Sequence, residues 1–305
     1  HMSYFDEQFK YNICEILGSG TEYTSRAIWK DTGEHAKCLK LFGLVNRYDL
    51  SNPEQLPVGT MRKLAYKSAI DEVFWIWQKK SNNIKDLKSH IWDSWADENG
   101  SIGAAYGFQV ASKLRRATHE ITLPDGSKKV VTNFLDQTDY VLHELIYNRY
   151  SRRIITDLYS VDQTNLMGLD PCCYSCTWGV TKDRDGRERL NLLLNQRSQD
   201  MLVANNWNVF QYAILLYAFC YATDLLPGTL THVIADAHIY DRHIPLVKEL
   251  CKNKTYGVPI LILDAYAEEN KDATPMEKFY GLLEDQFRLL GYKYSKFDHK
   301  IPVAV

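Results

Sequence analysis

The chain has 305 residues, 45% of them hydrophobic and 24% charged, enough for one large core or two modest domains. Its formal net charge of −2 gives no global positive field to draw it onto nucleic acid or an anionic membrane, so local arginines would have to hold any phosphate. No N-terminal stretch pairs a basic region with an apolar one, and the seven cysteines are irregularly spaced; the expectation is a cytoplasmic protein with free thiols. His1 and Met2 read as an expression scar, and no repeat or linker divides the remainder, so one domain is expected over 3–305.

In chain order, 66–80 reads as a helix that is apolar nearly all round between Val73 and Trp77. Asp125-Gly126 between the β-rich flanks of 120–132 signals a hairpin, and 139–149 reads as an amphipathic helix. Strand-like runs lie at 153–159, 174–180, 188–197, 229–240 and 258–263. The longest apolar run, 207–226, is interrupted by Asn208, Gln211 and Asp224, which favours a buried core helix over a membrane span. Helices and strands mix without strict alternation, so the expected class is α+β rather than a doubly wound parallel sheet.

Several segments carry chemistry. In THVIADAHIY (231–240), period-two alternation puts His232, Ile234, Asp236, His238 and Tyr240 on one strand face, with His238 and Tyr240 roughly 7 Å apart at their Cα atoms. Such a pair suits a ligand hydroxyl, and a solvated strand face accounts for it equally. Arg152-Arg153 and Arg197 could grip phosphate oxygens or be plain surface residues. Glu72, directly before VFWIW, is either a buried proton carrier or part of a narrow polar stripe with Asp71 and Gln78. Cys172, Cys173 and Cys176 form a cluster, but no second ligand pair at zinc spacing exists, so no metal is expected. A nucleophilic thiol with its pKa lowered by an arginine competes with a plain buried cysteine.

Taken together, WDSWADENGSIGAAYGFQ (92–109), SRRII (151–155), LDPC (169–172), QRSQDM (196–201), NVFQYAILL (208–216) and DAHIY (236–240) resemble the successive signatures of thymidylate synthase. The resemblance runs from about residue 10 to the C-terminal PVAV, and the Arg26-x-x-Trp29-x-x-x-Gly33 pattern is similar to the divergent Bacillus and phage-type synthases. It implies a mixed twisted β-sheet covered by helices, with sheets back to back in a homodimer. It implies reductive methylation of dUMP to dTMP, with 5,10-methylenetetrahydrofolate as cosubstrate giving one carbon and a hydride.

Residue by residue, the resemblance implies the following roles. Cys172 would add to C6 of the uracil ring, with Arg197 binding phosphate and activating the thiol. Ser198 and Arg26 would bind phosphate too, and Arg152 and Arg153 would do so from the partner subunit. Asn208 would read the O4/N3 edge of the base, and His238 and Tyr240 the sugar 3′-hydroxyl. Glu72 would serve proton transfer at O4, Tyr106 removal of the C5 proton, and Asp200 the pterin. Trp92, Leu169 and Trp207 would line the folate pocket, Arg62 would stand near the folate tail, and Val305 would close over it.

The chain departs from the family pattern at Ala204, in a turn after Asp200, and at Ala235, where glycines are usual. It departs also at Cys173, where histidine is common, and at Thr177, where glutamine is. Relatives that let water capture the methylene make 5-hydroxymethyl pyrimidines, so a nucleotide 5-hydroxymethyltransferase is the alternative. Asn208 favours dUMP over a cytosine nucleotide. The C-terminus implied to close over the folate favours hydride transfer.

Overall fold

A computed structural model describes residues 2–265 and 271–305; His1, half of the expected scar, lies outside them. Helix α1 (Tyr4–Ser19) starts at Ser3, whose hydroxyl accepts the Asp6 N–H, and buries Phe5, Phe9, Ile13 and Ile16. Strands β1 (Thr21–Ile28) and β2 (His35–Asp49) come next. Helix α2 (Tyr66–Trp77) stops short of the expected residue 80, because the N–H groups of Gln78 and Lys79 both turn back to the Phe74 carbonyl. Helix α3 (Gly107–Ser112) precedes the hairpin β3 (Arg115–Thr122) and β4 (Lys128–Leu135), which closes through Gly126 at φ 84°. Then follow α4 (Gln137–Tyr147), β5 (Ile154–Asp157), β6 (Cys173–Lys182), β7 (Glu188–Asp200), α5 (Met201–Thr223) and β8 (Leu226–Tyr240). Last are α6 (Ile244–Cys251), β9 (Ile260–Leu263), α7 (Pro275–Gly281) and β10 (Phe287–Leu290).

Six strands form one sheet in the order β1-β2-β8-β7-β6-β5, antiparallel except for the parallel pair β7–β8. Helix α5 crosses one face and is buried from Val209 to Leu216 without a polar stripe, as a helix enclosed by sheet and helices must be. Among the described residues no helix is long and apolar enough to cross a membrane. On the opposite sheet face, Val45, Leu193 and Ile155 are exposed on the single chain.

One sequence expectation is corrected at the start of α5. Ala204, expected in a turn, lies inside the helix: Asp200 caps it by accepting the Val203 N–H at 3.1 Å, and alanine has the best helix propensity where a glycine would have weakened the first turn.

The sheet carries a slip that creates room for a site. In β7 the buried positions step by two through Leu190, Leu192, Leu194 and Gln196, then jump by three to Gln199. In β8 they step through Leu230, His232 and Ile234, then jump to Ala237. The jumps are level, since Gln196 pairs Ile234 and Ser198 pairs Asp236. Gly43 in β2, at φ 89°, falls at the same level, and the β6–β7 register shifts between Cys173 and Ser175. Bulges in line add local twist, which turns Ser198, Asp236, His238 and Tyr240 away from the core.

Candidate active site

Above that slip two cavities meet at Cys172. One, of about 410 Å³, is mainly apolar and is lined by Trp92, Trp95, Leu169, Trp207, Asn208 and Glu72 among others. The other, of about 660 Å³, is polar and includes Arg26, Arg197, Ser198, Asp236, His238 and Tyr240. Cys172, Leu169 and Trp95 line both.

Cys172 stands just before β6. Its N–H donates to Tyr106 Oη at 3.0 Å, and Arg197 Nη2 lies 3.8 Å from its Sγ. Arg197 is braced by donating to the carbonyls of Asp170 at 2.8 Å and Pro171 at 3.0 Å. The expected net lowering of the thiol pKa is not what the geometry yields. Burial pushes the Cys172 thiol up, Arg197 pulls it down, and burial is the larger effect.

Tyr106 adopts φ 43°, a sparsely populated backbone for a bulky residue, just ahead of Gly107. A Cβ at Gly107 would stand 2.1 Å from the Ser81 carbonyl oxygen, so only glycine fits there. Burial, with help from Cys172, lifts the Tyr106 phenol well above its ordinary range, so it keeps its proton.

Glu72 is buried, not on a polar stripe. It accepts from Gln211 Nε2 at 2.6 Å, Trp92 Nε1 at 3.0 Å and Trp207 Nε1 at 3.2 Å. Burial raises its pKa, and those three donors oppose the rise. Asn208 accepts at Oδ1 from Gln196 and Gln199, each at 3.1 Å. The sequence reading counted Gln211 only as a polar break in an apolar run; its sole signal was an amide in an otherwise apolar helix.

In the polar cavity His238 and Tyr240 point the same way, with ring centroids 5.2 Å apart. Asp236 bridges His238 Nδ1 at 3.1 Å and Lys40 Nζ at 3.1 Å; the His238 hydrogen bond first, and Lys40 after it, hold the Asp236 carboxyl below its ordinary range. Ala304 and Val305 line this cavity, and Val305 pairs its backbone with Ile28 at 2.8 and 3.0 Å, extending β1.

Other expected site residues lie apart. Arg62 donates to the Leu202 carbonyl and lines a small separate cavity beside Phe5 and Asp6. Asp200 caps α5 and lines neither of the two cavities. Arg152 and Arg153 line cavities on the chain that do not include Cys172. Cys173 is buried and donates to Gln196 Oε1 at 3.3 Å, while Thr177 lines the same cavity as Arg152. The seven cysteines are free, and among the described residues no group of three or more His, Cys, Asp or Glu side chains could hold a metal ion.

The flat indole walls of the apolar cavity fit a ring system such as a pterin, and the arginines of the polar cavity fit a phosphate. The family model described as thymidylate synthase matches residues 7–305. A thymidylate synthase of Bacillus mojavensis is 37% identical over 96% of this chain and 97% of its own length. A thymidylate synthase of Bacillus phage phi3T is 36% identical over the same shares. The solved structure of thermostable thymidylate synthase A from Bacillus subtilis superposes with a TM-score of 0.83, at 35% identity and over 99% of each chain.

Proposed function

Because the chain belongs to the thymidylate synthase family, we propose that the two joined cavities carry out that family's reaction through the residues gathered at Cys172. The enzyme is a methyltransferase that converts dUMP to dTMP. Methylenetetrahydrofolate supplies one carbon and a hydride and ends as dihydrofolate.

The observation that carries the residue assignment is Cys172 at the junction of a phosphate-suited and a ring-suited cavity. Arg26, Arg197 and Ser198 hold the phosphate, and His238, braced by Asp236, and Tyr240 hold the sugar hydroxyl. The pyrimidine ring then lies toward Asn208 and Glu72. The Cys172 thiolate forms a C–S bond at C6, and the ring electron pair moves to O4. Glu72, kept protonatable by burial, exchanges a proton at O4 through its hydrogen-bonded surroundings. C5 becomes nucleophilic and forms the new carbon bond. Its proton leaves past Tyr106, which keeps its own hydrogen and so acts by orienting the acceptor. Loss of that proton expels the folate nitrogen and leaves an exocyclic methylene; a hydride from the tetrahydrofolate would then add to it as the C6–S bond breaks and Cys172 leaves as thiolate.

Arg152 and Arg153 stand away from Cys172 on their own chain, which is the arrangement expected if they serve the partner's phosphate site. The exposed apolar sheet face bearing Val45, Leu193 and Ile155 suits a back-to-back C2 dimer. Asp200 and Arg62 would act on the folate side only after movement of the α5 start, while Val305 already lines the shared site.

Mass spectrometry of both products after incubation with dUMP and methylenetetrahydrofolate tests this reading. Thymidylate with dihydrofolate is expected. 5-Hydroxymethyl-dUMP with tetrahydrofolate would instead mean that water captures the carbon.

A further inference from the structure

An amide can meet a pyrimidine with either end, and two backbone carbonyls decide which end Asn208 offers. Gln196 Nε2 donates to the Ser198 carbonyl at 3.0 Å, and a carbonyl only accepts, so the nitrogen end of Gln196 is fixed. That nitrogen also donates to Asn208 Oδ1, while Gln196 Oε1 accepts from His232 Nε2 at 2.8 Å and Cys173 Sγ at 3.3 Å. On the other side Gln211 Nε2 donates to the Ala69 carbonyl at 3.0 Å and to Glu72. This turns Gln211 Oε1 toward Asn208 Nδ2, 3.4 Å away. Gln199 Nε2 fills the second lone pair of Asn208 Oδ1. All three glutamines are at most 2% exposed, so water does not scramble the pattern. Asn208 is left with an N–H for a ligand in the cavity it lines.

We propose that Gln211, acting with Gln196, is a specificity-determining positioning residue that locks Asn208 into presenting an N–H, so that pyrimidines with an acceptor at ring position 4 are taken and those with an amino group there are refused. The inference rests on the thymidylate synthase reading of the cavity and adds to it the residue that sets the base preference. Gln211 also joins the base-reading amide to the proton-carrying carboxyl, since it touches Asn208 and Glu72 at once. A 4-amino group would face a fixed donor, and unmatched buried polar groups discriminate strongly.

Titration calorimetry of the full chain with dUMP and with dCMP reads the preference without requiring turnover. Gln211→Met keeps the length and removes both hydrogen-bonding ends, and the dUMP-over-dCMP preference should fall about tenfold, the net worth of one hydrogen bond. Gln211→Glu still offers Asn208 an oxygen, so its preference should stay within about twofold of wild type. Its like charge beside Glu72 should move the pH profile of turnover upward. A folded Gln211→Met that weakens both nucleotides equally, or neither, would overturn the proposal while leaving the enzyme reading intact. Loss of preference in Gln211→Glu would do the same. Wild type that binds neither nucleotide would overturn the enzyme reading together with the proposal.

Discussion

Replacing Tyr106 with phenylalanine removes one oxygen and leaves the ring in its pocket. That oxygen, on a buried side chain, accepts the Cys172 N–H at 3.0 Å. A buried donor stripped of its acceptor costs about 1–3 kcal/mol. For a chain this long each kcal/mol moves Tm by about 2 °C, so calorimetry should show a drop of about 2–6 °C. The loss of activity should be larger. The φ of 43° at Tyr106 is strained by about 1–3 kcal/mol and persists only while the ring packing and this hydrogen bond hold it. With the bond gone, Cys172 loses its anchor and the C5 proton loses its oriented path. We expect kcat to fall by about 10², as for a reacting geometry left about 1 Å out of place, with KM for dUMP nearly unchanged. Steady-state kinetics beside the melting curve make the test. A variant that melts lower yet keeps wild-type kcat would refute the reasoning, because Tyr106 would then be a structural brace only.

Burial holds the His232 imidazole down at about 3, against 6.5 in the open chain. Between those values the unfolded chain binds a proton that the folded chain does not, so stability is full above pH 6.5 and declines as pH falls. The slope reaches about 1.4 kcal/mol per pH unit, and urea titrations of His232→Gln should be flatter between about pH 4 and 6. Alkylation of Cys172 by iodoacetamide, followed by mass spectrometry, should accelerate with a midpoint above that of an ordinary thiol. Arg197→Gln should push that midpoint higher still, and a lower midpoint would contradict the opposing effects described for this thiol. Mixing inactive Cys172→Ser with inactive Arg153→Ala subunits should restore about a quarter of wild-type activity if the arginine serves its partner. No recovery after verified subunit exchange would assign Arg153 to its own chain.

Much of the residue set gathered at Cys172 was legible because it lies in short sequence patterns: a thiol after Asp-Pro, an arginine after glutamine, a His-x-Tyr pair on one strand face. The helices α2, α4 and α5 and the strands from β5 to β9 were legible from periodicity. Helix α1 was passed over although Phe5, Phe9, Ile13 and Ile16 recur at helical spacing, because Asp6 and Asn12, polar residues that are buried with them, weaken the contrast. Strand β2 was missed because Gly43 breaks its alternation where the sheet slips. Gln211 was illegible as a site residue: nothing local distinguishes a buried amide that bridges two elements from a polar interruption. The net direction of the Cys172 pKa was likewise beyond reach, since it depends on how deeply the thiol is covered.

The level slip in β7 and β8 has an arithmetic consequence. Side chains alternate by parity along a strand, and parity alone would put Asp236, His238 and Tyr240 where His232 and Ile234 are, sealed in the interior. One odd step per strand separates residues that answer to stability from residues that answer to a ligand. Along this one face of β8, substitutions at His232 and Ile234 should register in melting temperature and barely in nucleotide affinity, and those at Asp236, His238 and Tyr240 the reverse. A single-residue deletion at Ala235 would therefore do more than shorten a strand. It would close the odd step, so that plain alternation from Ile234 keeps Ala237 and Ile239 in the core and His238 and Tyr240 outside it, while β7 and β2 still carry the slip at that level.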